Sequence, residues 1–275
     1  MSVVRGGQLG EATSVARDVV SEVREQNVTF MAGSIAYSAF VSLFPLLLLA
    51  LLVASALGGQ ALADLVVEYA GSYLTPTGRQ LVTDAILRAG GRTELSILGV
   101  LVLGWGVLKV FRGLDTAFSA LYGTTRANDI VDQLRDGVVV LGAIALAAVA
   151  TFVAGAAFAL LQGIPYVGFL NPLLLLGGLI LAFFPIYYVY PDRDLTPRQV
   201  LPGTVVAAVG WAALQAAFQV YVSFSSTAEL YGVVGAVLLV ITWLYFSALV
   251  LLLGASVNVV LARQRGSSSG SPATA

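Results

Sequence analysis

The sequence predicts an all-α protein, a six-span transmembrane helical bundle with interfacial amphipathic helices, and three observations carry that expectation. Of 275 residues, 58% are apolar and only 11% charged, where a soluble domain carries about 45–50% and about 25%, and the mean hydropathy is +0.91. The charges are segregated, leaving charge-free stretches at Gln26–Ala63, Leu95–Leu108, Gly137–Pro191, Gln199–Ala228 and Leu230–Ala262, where a bilayer-crossing helix needs about 20 residues. Finally, the Lys and Arg residues alternate in density from one connection to the next, as a chain threading a membrane requires.

The N-terminal segment, 1–29, reads as a cytoplasmic amphipathic helix lying on the inner membrane surface. Ala12, Val15, Ala16, Val19, Val20 and Val23 repeat at helical spacing opposite Arg17, Asp18, Glu22 and Glu25. The membrane domain follows, 30–261, with spans at Phe30–Leu57, Leu95–Phe111, Val138–Gln162, Leu173–Tyr190, Val200–Ser223 and Leu230–Leu261. The second span extends past the short apolar run because the stem of Lys109 can snorkel to the headgroups. Gly163, Pro165, Asn171 and Pro172 divide the longest stretch into the third and fourth spans. The first span is too long, and begins too far into the chain, for a cleaved signal peptide.

The outer loop, 58–94, shows two helical repeats, Leu62, Leu65, Val66, Tyr69 and Tyr73, then Leu81, Val82, Ala85, Ile86 and Ala89, with Thr75-Pro76 between them. They predict an external amphipathic pair. The Gly/Ser-rich tail, 262–275, is expected to be disordered. With these spans, eleven of the fourteen Lys and Arg residues fall on the side of both termini and only Arg79, Arg88 and Arg92 on the other. The positive-inside rule then places both termini in the cytoplasm.

Composition also restricts chemistry. Neither Cys nor His is present, which removes disulfides, thiolates, imidazole metal ligands and the commonest general base. A net charge of -1 gives no field to gather nucleic acid. Asp129, Asp132 and Asp136 share one helical face. Asn128 and the helix dipole make them a solvated helix start, with a divalent-cation site as the alternative.

Polar residues recur inside the spans. Ser34, Ser38 and Ser42, with Tyr37 beside them and Pro45 one turn on, form one face of the first helix; Gln215 and Gln219 align with Trp211 in the fifth; Trp243, Ser247, Gly254 and Asn258 align in the sixth. Two readings stand. Lipid supplies no hydrogen-bond partners, so such residues can bond between helices; alternatively the faces converge on a groove that passes a polar head. Lys109, Arg112 and Asp115 stand at i, i+3 and i+6 on the cytoplasmic end of the second helix, either anchoring it and pairing or, through Lys109 and Arg112, touching a lipid head group.

Tyr190-Pro191-Asp192-Arg193, Leu201-Pro202-Gly203, Tyr231-Gly232 with Gly235-Ala236, Trp243-Leu244-Tyr245 with Ser247, and Leu253-Gly254-Ala255 with Asn258 together resemble the C-terminal half of the YihY/BrkB family of polytopic membrane proteins. Ala36-Tyr37, Ser42-Leu43-Phe44-Pro45 and the Trp105 region resemble its N-terminal half. One departure is Ser256, where family members commonly carry an acidic residue. The resemblance implies six helices and a plasma-membrane location. It brings conflicting labels, ribonuclease BN, virulence factor and envelope lipid handling, rather than one activity.

The expected function is therefore non-enzymatic: translocation or handling of lipids or other amphiphiles in the envelope, with membrane lipids as partners and no cofactor or nucleic acid. A scaffold for an envelope protein partner is the alternative. Ribonuclease activity is a distant third, because hydrolysis of a phosphodiester calls for metal-binding or His acid/base groups and cationic phosphate contacts.

Overall fold

The computed structural model describes residues 3–57, 93–124, 130–159, 170–224 and 228–269. Among these, the secondary structure is entirely helical: α1 (Val3–Glu25), α2 (Val28–Leu57), α3 (Thr93–Tyr122), α4 (Ile130–Ala159), α5 (Leu170–Val189), α6 (Pro197–Phe224) and α7 (Ala228–Ser269). Helices α2 to α7 overlie the six apolar stretches. By length and composition, Pro197–Tyr221 of α6 and Val237–Arg265 of α7 suffice to cross a membrane, while Val28–Leu43 and Leu173–Val189 are shorter apolar helices. The expected external pair, Asp129 and the Gly163-Pro165 turn lie outside the described residues.

Three boundaries differ from the sequence reading. Helix α3 runs past Phe111 to Tyr122, α5 begins at Leu170 with Asn171 and Pro172 inside its first turn, and α7 runs on to Ser269. The first eight residues of the tail, 262–269, expected to be disordered, are thus helical: once α7 is formed, each further residue adds a hydrogen bond without a new nucleation cost.

The chain divides into two compact units, Met1–Tyr37 with Phe111–Ala275, and Ser38–Val110. In the second unit Ser42 is buried against Gly106 of α3, where an added Cβ would stand 2.7 Å from the serine hydroxyl. The first unit has its core around Phe118, whose ring centroid lies 5.6 Å from that of Tyr187, 5.7 Å from Tyr190 and 6.4 Å from Tyr122. Val28, Ala32 and Ile35 of α2, Val200 of α6 and Leu252 and Ala255 of α7 complete it. Outside the core, Leu141, Leu146, Val149 and Val153 of α4 and Val206, Val209 and Val220 of α6 are exposed, a pattern that water penalises and hydrocarbon does not.

The hydroxyls of Ser42, Thr151, Thr204, Thr242 and Ser256 each donate to the carbonyl four residues earlier. This is how a polar side chain satisfies itself on a helix whose surroundings offer no partner.

Helix α1 packs on α7, and here the amphipathic pattern misplaced a charge. Glu22, assigned to the polar face, is only 3% exposed because both carboxylate oxygens accept from the guanidinium of Arg263. Gln264 adds a 3.0 Å hydrogen bond to Asp18. Asn27, with φ 52°, makes the turn into α2, and its carbonyl accepts from Phe30 and Met31. Asparagine tolerates this left-handed conformation better than most residues.

Candidate functional site

The site is built on α6 and α7. Thr196-Pro197-Arg198-Gln199 starts α6 with the glutamine half of a capping box: Gln199 Oε1 accepts from the Thr196 N–H at 2.8 Å and from the Thr196 hydroxyl at 3.0 Å, while the Gln199 N–H donates to the Thr196 carbonyl at 2.9 Å. Proline at the first helical position loses no hydrogen bond.

Just above this start the two helices are locked. Asn258 of α7 is 3% exposed; its Oδ1 accepts from the Gly203 N–H at 2.7 Å and its Nδ2 donates to the Val200 carbonyl at 3.0 Å. The amide thus bonds the backbone on both sides of Pro202, a residue that cannot donate an N–H of its own. Gly203 and Gly254 permit this approach, since a Cβ on Gly203 would meet the Gly254 carbonyl and one on Gly254 would meet the Tyr187 hydroxyl. That hydroxyl ties α5 in by donating to the Leu251 carbonyl at 2.6 Å.

Further along, large side chains replace the glycines. Trp211 meets Trp243 edge-on at 5.9 Å and Phe183 at 5.3 Å, while Phe218 meets Trp243 at 4.7 Å. Beyond this aromatic group lies an open depression of ≈ 310 Å³ lined by Gln215, Phe218, Gln219, Val240 and Trp243. Both glutamines are exposed and Trp243 is half-buried.

The structure therefore brings Gln215, Gln219 and Trp243 together and puts the other candidate residues elsewhere. Asn258 lies four turns below them in the helix lock, and Ser247 is buried, its hydroxyl without a partner among the described residues. On α2, Ser34 and Tyr37 are exposed, Ser38 is half-buried and Ser42 is buried; Pro45 is helical, its side chain outside the described set. Lys109 and Arg112 are exposed, with Lys109 Nζ 5.8 Å from the Trp105 ring centre. Asp115, read with them from its spacing, is 7% exposed.

A second polar group escaped the sequence reading. The buried hydroxyls of Ser119, Tyr122 and Tyr190 have no hydrogen-bond partner among the described residues, and burial pushes the Tyr122 phenol up to about 12. Asp115, Ser119 and Tyr122 follow i, i+4, i+7 spacing. That signal went unused because the apolar stretch ends at Leu108.

Among the described residues no group of three or more acidic residues could hold a metal ion. Asp129 lies outside that set. With its exposed apolar faces, the chain is a membrane protein, helical throughout its described secondary structure. It belongs to the BrkB family: the family model described as virulence factor BrkB matches residues 19–275. Relatives include UPF0761 membrane proteins of Alteromonas mediterranea and Pseudoalteromonas translucida. Each is 27% identical to this chain over 86% of its length, covering 83% and 82% of the relative respectively. A putative ribonuclease-like protein YfkH of Bacillus subtilis is 32% identical over 32% of each chain. No solved structure matches.

Proposed function

We propose that this protein handles amphiphiles in the plasma membrane without catalysing a reaction, and that the depression between α6 and α7 receives their polar heads. The observation that carries this reading is the exposure of Gln215 and Gln219 on the otherwise apolar stretch 205–222 of α6. An amide facing hydrocarbon with no partner costs about 2–7 kcal/mol, so two of them four residues apart call for a polar occupant. The test is native mass spectrometry of gently extracted protein. The native chain should carry bound lipid, and Gln215→Leu/Gln219→Leu should lose it while its melting temperature stays unchanged. Lipid retained equally by the variant would refute the site, and a co-purifying protein in place of lipid would favour a scaffold for an envelope partner.

The reading includes six crossings with both termini in the cytoplasm, supported by the eleven-to-three distribution of Lys and Arg. Cysteines introduced at Ser14 and Ser268 should be shielded from an impermeant thiol reagent in intact cells, and one at Thr77 should be labelled. Labelling at just one terminus would overturn the even number of crossings. The ribonuclease-like name of the Bacillus relative is not carried over, because the chain has no His and a net charge of -1, which supplies neither the commonest acid/base group nor a field for a polyanion.

A further inference from the structure

The composition of the two helices says more about the occupant than that it is an amphiphile. From the proposed reading of the depression as a head-group site, we infer that the occupant is uncharged: a hydroxyl-bearing lipid of the diacylglycerol or neutral glycolipid type, not a phospholipid.

None of the five lining residues is charged, and the nearest charge along either helix is a carboxylate: Glu229, 11 residues before Val240, about 16 Å along the axis, a sign that does not favour an anion. The basic residues of these helices are at the far ends. Arg198 is 17 residues before Gln215 and Arg263 is 20 residues after Trp243, which at a rise of 1.5 Å per residue is about 25–30 Å along the axes. A phosphate in the depression would lie beyond the screening length of either guanidinium, about 8 Å at physiological salt, and would find no counter-charge on α6 or α7 to offset its desolvation.

The side chains that are present suit a neutral head. Each glutamine amide offers two donors and one acceptor oxygen, which complements hydroxyls that both donate and accept. The faces of Phe218 and Trp243 provide an apolar wall for a glycerol or sugar ring. A volume of ≈ 310 Å³ is at the small end for ligand sites and accommodates a single such group.

The experiment places a photoreactive residue at Val240, which lines the depression without being one of its amides, in the full chain, with a control at Leu146, an exposed position on α4. The purified protein is held in nanodiscs containing equal amounts of diacylglycerol, phosphatidylethanolamine and phosphatidylglycerol. Relative to Leu146, the Val240 position should cross-link diacylglycerol over phosphatidylglycerol by about fivefold, the ratio that one net hydrogen bond supplies. Gln215→Leu should abolish the preference. Enrichment of either phospholipid at Val240 would overturn the neutral-head inference while leaving the amphiphile reading intact. Equal, unselective cross-linking at Val240 and Leu146 would overturn both.

Discussion

Gly203→Ala and Gly254→Ala are each expected to destabilise the protein by about 3 kcal/mol, the upper end of the usual cost of overpacking. The reason is what the new methyl would meet. On Gly203 it meets the Gly254 carbonyl and the Asn258 amide, and on Gly254 it meets the Gly203 carbonyl and the Tyr187 hydroxyl. Backbone cannot rotate aside as a flexible side chain can. Relief requires α6 and α7 to separate, which stretches both Asn258 hydrogen bonds and the one from Tyr187 to Leu251. Gly177 of α5 has open space around it, so Gly177→Ala should be neutral or stabilising by up to about 1 kcal/mol, the usual gain of Ala over Gly inside a helix. Unfolding in mixed micelles measures all three. Equal stability of Gly203→Ala and Gly177→Ala would show that the helices do not touch there.

The second large effect is asymmetric. Arg263→Ala should cost about 2 kcal/mol and Glu22→Ala about half that, because the partners differ in exposure: the arginine side chain is 60% exposed and the glutamate 3%. Losing the arginine strands a carboxylate in a buried place, the costly way to break a pair. Losing the glutamate returns a guanidinium to water. Both estimates fall below the 3–5 kcal/mol of a fully buried pair because solvent screens the arginine end. The predicted consequence is release of α1, read as faster proteolysis at the Asn27 turn, in the order Arg263→Ala, Glu22→Ala, native. The reverse order would mean that the contact is held by packing and not by charge.

These two contacts mark where sequence reasoning stops. Helical class and the positions of α2 to α7 were legible because charge-free runs are local: 30 or more residues without a charge in α6 and α7 have few physical fates, and helices that satisfy their own backbone are the first of them. The start of α6 was legible too, in Thr196-Pro197-Arg198-Gln199, although only its apolar onset at Val200 was used. Periodicity failed at Glu22, since it ranks residues by their own polarity and cannot register a partner on another helix 241 residues away.

The polar faces show the same division. Spacing grouped Trp243, Ser247 and Asn258 on one side of α7, and they do share that helix. It could not say that the Asn258 amide would be consumed by the backbone around Pro202 while Trp243, 15 residues away, would border an open depression with Gln215 and Gln219. What separates those outcomes is the distance between α6 and α7 at each level. That distance follows from glycine facing glycine at 203 and 254 and indole facing indole at 211 and 243. Helix formation depends on hydrogen bonds between residues four apart, so the local chain decides it. The gap between two helices depends on which side chains come to face each other, and only the packed structure decides that.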